Sequence, residues 1–358
     1  MTAASLWDRL RADHLVEGEL PEEDRPESPW YVRVMLGIAG WIGAGFLLSF
    51  VGVAFAFITQ DAGYAFVLGA ACCAGALALF RGFEGNDFAE QFGLALSLAG
   101  QMLIIIGLAQ FLKPENPPFY FAVAATQVAL ALAVTNFLHR ALAAGGAAVA
   151  VALAADQLSL HGFAAPFVCL GLAKVWLEPK RWACGGRLWR PIGYGLVLAL
   201  LLVETFGLFG TARWLGVAEE PAGWIALHGA FPGRALTAAV LVWVAVTLAG
   251  REDLLHWGRI ALSAAGAAIL FGLLSLEAPG LASAVLVLLL GFAAANRILA
   301  ALGILSLLGF VTHFYYSLHA SLLEKSGLLA ATGLCLLAAF FLLRPGLPSS
   351  GAADHDDA

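Results

Sequence analysis

The chain has 358 residues, of which 61% are hydrophobic and only 12% are charged, and its mean hydropathy is +0.86. A soluble globular domain is about 45–50% apolar and about 25% charged, so the composition excludes a soluble enzyme and a disordered chain. The net charge of −6 excludes a basic surface for DNA or RNA, and we therefore expect no nucleic-acid partner. The composition predicts an all-α fold, a polytopic transmembrane helical bundle surrounded by the lipid bilayer.

Residues 1–33 form the first predicted unit, a polar N-terminal segment. Ser5-Leu6-Trp7-Asp8 has the spacing of a capping box, which predicts a short amphipathic helix at this point. Acidic residues and two prolines follow, and no apolar core of the signal-peptide kind is present in the segment. We interpret the segment as a surface helix with a linker; a docking arm for a partner is the alternative.

Residues 34–344 form the predicted transmembrane helical domain, because apolar runs follow one another there almost without pause. A helix needs about 20 apolar residues to cross a hydrocarbon core of about 30 Å. The runs predict about twelve spans, within a range of ten to twelve because two of them are short. They cover residues 34–58, 63–80, 92–112, 118–138, 141–158, 162–177, 192–212, 235–249, 259–276, 280–296, 298–318 and 326–344. The short runs are 162–177 and 235–249, and residues 345–358 form a predicted flexible acidic C-terminal tail.

Lysine and arginine predict the orientation of these spans. If the spans alternate in direction, the side of the N-terminus carries 15 of the 19 Lys and Arg residues, and the opposite side carries the other 4. Cytoplasmic loops of membrane proteins carry such an excess of Lys and Arg. We therefore expect both termini in the cytoplasm and an even number of spans.

Several short motifs along the chain resemble one family of membrane proteins. They are Ser28–Tyr31, Gly100-Gln101, His139-Arg140, Ala278-Pro279-Gly280, Gly291–Arg297, Phe314–Leu318 and Leu322–Ser326. On these residues the chain resembles the bacterial inner-membrane family catalogued as domain of unknown function 4401, and the likeness covers nearly the whole chain. Three consecutive tyrosines are common in that family, and Phe314 stands at the first of these positions here.

The resemblance implies a cellular location for the protein but no substrate. It implies a multi-pass protein of the bacterial inner (cytoplasmic) membrane. Members of the family tend to be encoded beside a related membrane protein and a small membrane protein with a GDYXXLXY motif. Both are therefore expected partners in a shared membrane assembly.

Glu204 is the residue whose burial in a membrane costs most, since it lies near the middle of the run 192–212. A charged acid at that depth costs roughly 2.5–3.5 kcal/mol on insertion scales. Gly207, Leu208 and Thr211 share its helical face, so we expect the side chain to face other helices rather than lipid. In a functional interpretation, Glu204 is a proton-accepting carboxyl or contacts a substrate. In a structural interpretation, it is a protonated acid that forms a hydrogen bond with a neighbouring helix.

Other polar residues of the spans are weaker candidates for function. Gln101 and Gln127 are expected to form hydrogen bonds between helices, while Asn136, His139 and Arg140 have the position of an ordinary interfacial cluster. Asn296 and Arg297 occupy a tight turn, where Asn tolerates turn geometry and Arg can anchor to headgroup phosphates. A further group of candidates lies at the predicted extracytoplasmic end: His313, Tyr315, Tyr316, Glu324 and Lys325.

No motif of a known catalytic or metal-binding kind occurs in the sequence, which has no phosphate loop, no HExxH and no GxSxG. We therefore expect no enzyme activity, no cofactor and no metal site. The favoured hypothesis is a non-catalytic scaffold or subunit of a membrane complex. The alternative is a proton-coupled secondary transporter that uses an intramembrane carboxyl group.

Overall fold

The computed structural model describes residues 61–83, 85–160, 162–209, 230–251, 266, 268–273 and 275–317, with scattered positions between 7 and 49. Within these residues all regular secondary structure is α-helical and none is strand. Most of the predicted N-terminal segment and of the run 34–58 lies outside the described residues, as do the run 326–344 and the acidic tail. The proposed division into three units therefore stays a prediction.

Nine helices are labelled here in chain order. They are α1 (Ala62–Gly82), α2 (Asp87–Leu112), α3 (Pro117–Ala133), α4 (Phe137–Gln157), α5 (Ala164–Leu177), α6 (Pro179–Phe209), α7 (Ala230–Ala249), α8 (Leu281–Ala293) and α9 (Arg297–Ser317). A further short apolar helix, Ala268–Glu277, precedes α8. Helix α6 is kinked at Gly185, whose backbone is not helical.

Six helices are long and apolar enough to cross a membrane. They are α1, α2, α4, α7, α9 and the part of α6 from Gly185 to Leu208. Helices α3, α5 and α8 are apolar but shorter. The predicted helical membrane fold is thereby confirmed, whereas the count of about twelve spans is not. The run 235–249 is not short in the structure, because helix α7 already begins at Ala230.

Asparagine and aspartate side chains cap the N-termini of three helices. The Asp61 carboxylate accepts a hydrogen bond of 2.8 Å from the Gly63 N–H at the start of α1. The Asn86 and Asn136 side chains accept from backbone N–H groups three residues later, at the starts of α2 and α4. Such side chains satisfy donors that the first helical turn leaves unpaired, and they explain why the chain re-enters a helix after each short turn.

Glycine allows α1 and α2 to pack with their backbones in contact. A Cβ atom on Gly100 would lie 2.7 Å from the Gly69 carbonyl oxygen, and one on Gly69 would lie 2.7 Å from the Gly100 carbonyl oxygen. This reciprocal contact matches the close approach that small residues permit between membrane helices.

Consecutive helices run in opposite directions when the short helix before α8 is counted, so their described ends fall into two groups. Most described Lys and Arg residues lie at one of these two ends. At this end, helices α1, α3, α5, α7 and α8 finish, and helices α2, α4, α6 and α9 begin. These residues are Arg81, Arg140, Lys174, Arg187, Arg190, Arg251 and Arg297. We refer to this end as the arginine-rich end. At the opposite end the described basic residues are Lys113 and Arg234.

Three arginines donate hydrogen bonds to carbonyl groups at the ends of short helices. Arg140 Nε lies 2.8 Å from the Ala131 oxygen of α3, and Arg251 Nη2 lies 2.5 Å from the Leu177 oxygen of α5. Arg234 Nη1 lies 2.9 Å from the oxygen of Leu276, in the short helix before α8. The last carbonyls of a helix have no partner within the helix, and a bilayer supplies no water to pair them. These arginines therefore fix where α3, α5 and the short helix end.

The largest apolar core lies between α5, α6, α7 and α8 and holds the helices that surround Glu204. Its fully buried side chains include Leu172, Val197, Leu200, Leu241, Val244, Leu286, Val287 and Leu290. These residues come from all four helices, so the core fixes the positions of those helices relative to one another.

Candidate functional site

Glu204 lies where four helices meet. Its Oε1 atom accepts a hydrogen bond from the Ser283 hydroxyl of α8. The Cys169 sulfur of α5 lies 3.8 Å from the same hydroxyl oxygen. Arg234 of α7 interacts electrostatically with the Glu204 carboxyl. The prediction that Glu204 faces other helices is therefore confirmed by its contact with Ser283.

The distance of Glu204 from the arginine-rich end follows from the geometry of α6. Along α6, Glu204 lies 14 residues beyond Arg190, a distance of about 21 Å at the rise of an α-helix. That Glu204 lies near the middle of a membrane span stays a prediction.

The short helix α8 begins at the level of Glu204. Ser283 is the third residue of α8, and the preceding residue Gly280 has a φ of 83°. A Cβ atom on Gly280 would lie 2.5 Å from Cδ1 of Phe310, so Phe310 of α9 packs against this turn. Helix α9 then continues for seven residues to Ser317, or about 10 Å. The turn before α8 is therefore recessed from the opposite end of the bundle.

This recessed position sets the electrostatics of the site. The N-terminus of a helix carries a partial positive charge, and α8 presents its first turn to the Glu204 carboxyl through Ser283. Arg234 adds a full positive charge nearby. The arrangement can hold a carboxylate away from bulk water, and a carboxyl in such a place can take up and release a proton.

A small cavity lies beside this site, between α6 and α9. It has a volume of about 290 Å³ and is lined in part by Thr205, Ser306 and His313. Thr205 follows Glu204 directly in the chain, so the cavity brings one sequence candidate, His313, to the neighbourhood of another. Tyr315 and Tyr316 do not join them in this cavity: their rings contact each other at 5.5 Å, and Tyr316 is 77% exposed.

Gln101 belongs to a second polar cluster, in another part of the bundle. Its Nε2 atom lies 3.3 Å from Ser97 Oγ and 3.2 Å from His139 Nε2. Ser97 Oγ and His139 Nε2 are 2.7 Å apart. The cluster joins α2 to α4 and confirms the expected hydrogen bond of Gln101 between helices.

The sequence of the chain matches a family model over most of its length. The family model described as "Domain of unknown function (DUF4401)" matches residues 29–344 of the chain. The chain belongs to the DUF4401 family. The comparison with curated proteins and the comparison with solved structures find no match.

Asn296 of this DUF4401 protein has a different role in its turn from the one predicted. Its Oδ1 atom accepts from the N–H groups of Ile298 and Leu299, so Asn296 caps α9. The residue with positive φ in this turn is Ala295, at 48°. The Asn296 amide also donates to the Tyr194 hydroxyl at 2.7 Å and so ties the turn to α6. Arg297 is exposed and begins α9 at the arginine-rich end.

His139 and Arg140 are not the ordinary interfacial residues that the sequence suggests. They are 0% and 6% exposed, and both are held by contacts with other helices of the DUF4401 bundle. A sequence signal existed in the spacing of Ser97 and Gln101, which places two polar side chains on one face of α2. Ser97 is 1% exposed, so its pairing with His139 is closed to a substrate in this structure.

The remaining candidates do not extend the site. Glu324 and Lys325 lie outside the described residues. Gln127 packs against Gly146 of α4, and its Oε1 atom is buried without a hydrogen-bond partner in the described part of the chain. Within that part, no group of three His, Cys, Asp or Glu residues could hold a metal ion. Glu204 and its neighbours are thus the candidate site that the geometry of this DUF4401 protein favours.

Proposed function

We propose that this DUF4401 protein is a multi-pass protein of the bacterial inner membrane in which Glu204 takes up and releases protons to drive secondary transport. Both termini face the cytoplasm in this proposal, because the arginine-rich end carries the excess of basic residues that marks cytoplasmic loops. The protein is not an enzyme in this account.

The observation that carries the proposal is the hydrogen bond from Ser283 to Glu204 at the first turn of a short helix. In secondary transporters, half-length helices present their N-termini to anionic groups near the middle of the membrane. Helix α8 has 13 residues, or about 20 Å, and is shorter than a full span. An ionisable residue within a membrane bundle is a functional candidate by default, and Glu204 also has a nearby charge partner in Arg234.

Proton movement into liposomes tests this proposal. The purified chain is reconstituted with a pH-sensitive dye inside, and an inward proton gradient is combined with a potassium diffusion potential. We expect the wild-type protein to acidify the interior faster than empty liposomes do. Because glutamine cannot carry the proton, Glu204→Gln should reduce the rate to that of empty liposomes.

Glu90→Gln is the matched control. Glu90 is also partly buried, and its carboxylate accepts a hydrogen bond of 3.3 Å from Asn136, but it lies at the arginine-rich end. It should retain the wild-type rate. Equal rates for Glu204→Gln and the wild type would reject the proton role.

A second candidate function is a non-catalytic scaffold or subunit of a membrane complex. The exposure of α9 favours it, since only 17% of the membrane-crossing part of this helix is buried within the described bundle. Its partners would be the small GDYXXLXY-type membrane protein and the related membrane protein that the family resemblance implies. Purification in a mild detergent separates the two candidates: a stable stoichiometric partner supports the scaffold, whereas proton flux by the lone chain supports the transporter.

A further inference from the structure

A second, larger cavity opens at the arginine-rich end, far from Glu204. It has a volume of about 670 Å³ and lies between the ends of α5 and α8 and the starts of α6 and α9. Its lining residues are Trp176, Trp182, Arg190, Arg251, Ala293, Ala294, Ala295, Asn296, Arg297 and Ile298. The volume is within the range of about 300–1,000 Å³ that is typical of small-molecule sites.

The described residues of the lining carry charge of one sign. Three arginines contribute to it, and no described lining residue is acidic. Arg251 is held in place by its hydrogen bond to the Leu177 carbonyl. Arg190 and Arg297 are exposed, and neither forms an ion pair with any residue that the structure describes.

The walls of the cavity are fixed by contacts that the arginines do not supply. The Trp176 and Trp182 rings pack with centroids 4.8 Å apart, and Trp182 Nε1 donates to the Val175 oxygen at 2.9 Å. A Cβ atom on Gly193 would lie 2.8 Å from Trp176 Nε1, so only glycine admits the indole there. With Asn296 tied to α6, the cavity is preorganised rather than formed by mobile side chains.

We propose that this cavity binds the phosphate group of an anionic ligand. The guanidinium group has a planar fork of donors that matches phosphate oxygens in pairs, and arginine is the usual residue for this task. The two tryptophans favour a phospholipid headgroup as the source of the phosphate, because such rings lie at the headgroup level of a bilayer. A small soluble phosphate ester carries the same chemistry. The proposal does not depend on the function of Glu204.

Native mass spectrometry of the full chain in detergent tests this site. The protein is titrated with phosphatidylglycerol, with phosphatidylcholine and, separately, with glycerol 3-phosphate. Each arginine near an anionic group contributes about a fivefold gain in affinity. We therefore expect Arg190→Gln combined with Arg297→Gln to weaken phosphatidylglycerol binding about 25-fold. Phosphatidylcholine should lose less affinity, because its choline cation offsets the charge of its phosphate.

The matched control removes two other arginines from the same end. Arg81 and Arg187 are exposed and lie outside the cavity lining, so Arg81→Gln combined with Arg187→Gln should leave binding unchanged. Equal losses in the two double variants would overturn the proposal, and so would a cavity variant that binds phosphatidylglycerol like the wild type. If that cavity variant fails to fold, Arg190→Lys combined with Arg297→Lys replaces it. This variant keeps the charge but not the planar fork of donors, and it should show a smaller loss of affinity.

The third titration identifies the source of the phosphate. Glycerol 3-phosphate that competes with phosphatidylglycerol and depends on the same two arginines assigns the cavity to a soluble phosphate ester. Glycerol 3-phosphate without effect assigns it to the lipid headgroup. Failure of all three ligands to bind in an arginine-dependent way contradicts the proposal, and none of these results bears on proton movement at Glu204.

Discussion

Replacing Arg140 by glutamine removes a contact that joins three helices. The Arg140 side chain donates to the Ala131 oxygen of α3 at 2.8 Å and to the Arg187 oxygen of α6 at 2.9 Å. Neither oxygen can accept the usual helical hydrogen bond from the N–H group four residues later. Ala131 lies in the last turn of α3, and the fourth residue after Arg187 is Pro191, which has no N–H to donate.

The size of the effect follows from these two bonds. A hydrogen bond from a charged donor contributes about 1.5–3 kcal/mol, so losing both should cost about 3–6 kcal/mol. Arg140 is only 6% exposed, and water cannot readily replace it at the two carbonyls. We therefore expect Arg140→Gln to lower the free energy of unfolding by at least about 3 kcal/mol. Arg187→Gln is the control, since only the backbone oxygen of Arg187 takes part.

A second substitution tests the role assigned to the proline. Pro191→Ala restores an N–H group that can reach the Arg187 oxygen within α6. In the Arg140→Gln background this should recover about 1 kcal/mol, which is the usual net value of one such hydrogen bond. In the wild-type background the same change should give a smaller gain, because the oxygen already has a partner.

Unfolding in dodecyl sulfate, followed by circular dichroism in mixed micelles, measures these free energies. The four combinations of Arg140→Gln and Pro191→Ala form a double-mutant cycle, whose coupling term isolates the shared carbonyl. A loss below about 1 kcal/mol for Arg140→Gln would refute the argument from unpaired carbonyls. A coupling energy of zero would show that Arg140 and Pro191 act independently. Arg140 would then still stabilise the bundle, but Pro191 would not be the reason that the Arg187 oxygen needs it.

Three further predictions concern other parts of the bundle. Ser97→Ala removes the hydroxyl 2.7 Å from His139 Nε2 and should cost about 1 kcal/mol in the same unfolding assay, whereas no loss would show that the pair is not stabilising. Gly100→Ala places a Cβ atom 2.7 Å from a carbonyl of α1 and should destabilise by about 1–3 kcal/mol; an unchanged unfolding midpoint would contradict the close contact. With cysteine introduced into a cysteine-free chain in intact cells, Lys113→Cys should react with an impermeant maleimide and Arg187→Cys should not. The reverse pattern would invert the proposed orientation.

Much of the helical pattern could be predicted from the sequence. The apolar runs 63–80 and 298–318 correspond to the described bounds of α1 and α9 within about two residues at each end. Flanking residues extend the short run 235–249 in the structure, since Pro232 and Arg234 lower the hydropathy of α7 without ending the helix. The run 280–296 begins within one residue of α8 but extends three residues past its end at Ala293, because Ala294 and Ala295 are apolar residues of the following turn.

The candidate site was predictable for single residues but not for their partners. An acid in an apolar run identifies Glu204, and its helical face indicates a neighbouring helix. Its partner Ser283 is 79 residues away and has no distinguishing sequence context. His139 and Arg140 follow a short turn, where charged residues are usually exposed, so their burial depends on packing that the pattern does not contain.

Secondary transport through Glu204 requires that its carboxyl bind and release a proton within the membrane bundle. Dicyclohexylcarbodiimide reacts with protonated carboxyl groups in apolar surroundings, and mass spectrometry of the digested protein locates the adduct. We expect modification at Glu204 that slows as the pH rises, because fewer Glu204 carboxyl groups are then protonated. In Glu204→Gln we expect no modification at this position. Modification at an unchanged rate over the whole pH range, or none at Glu204 at any pH, would contradict it.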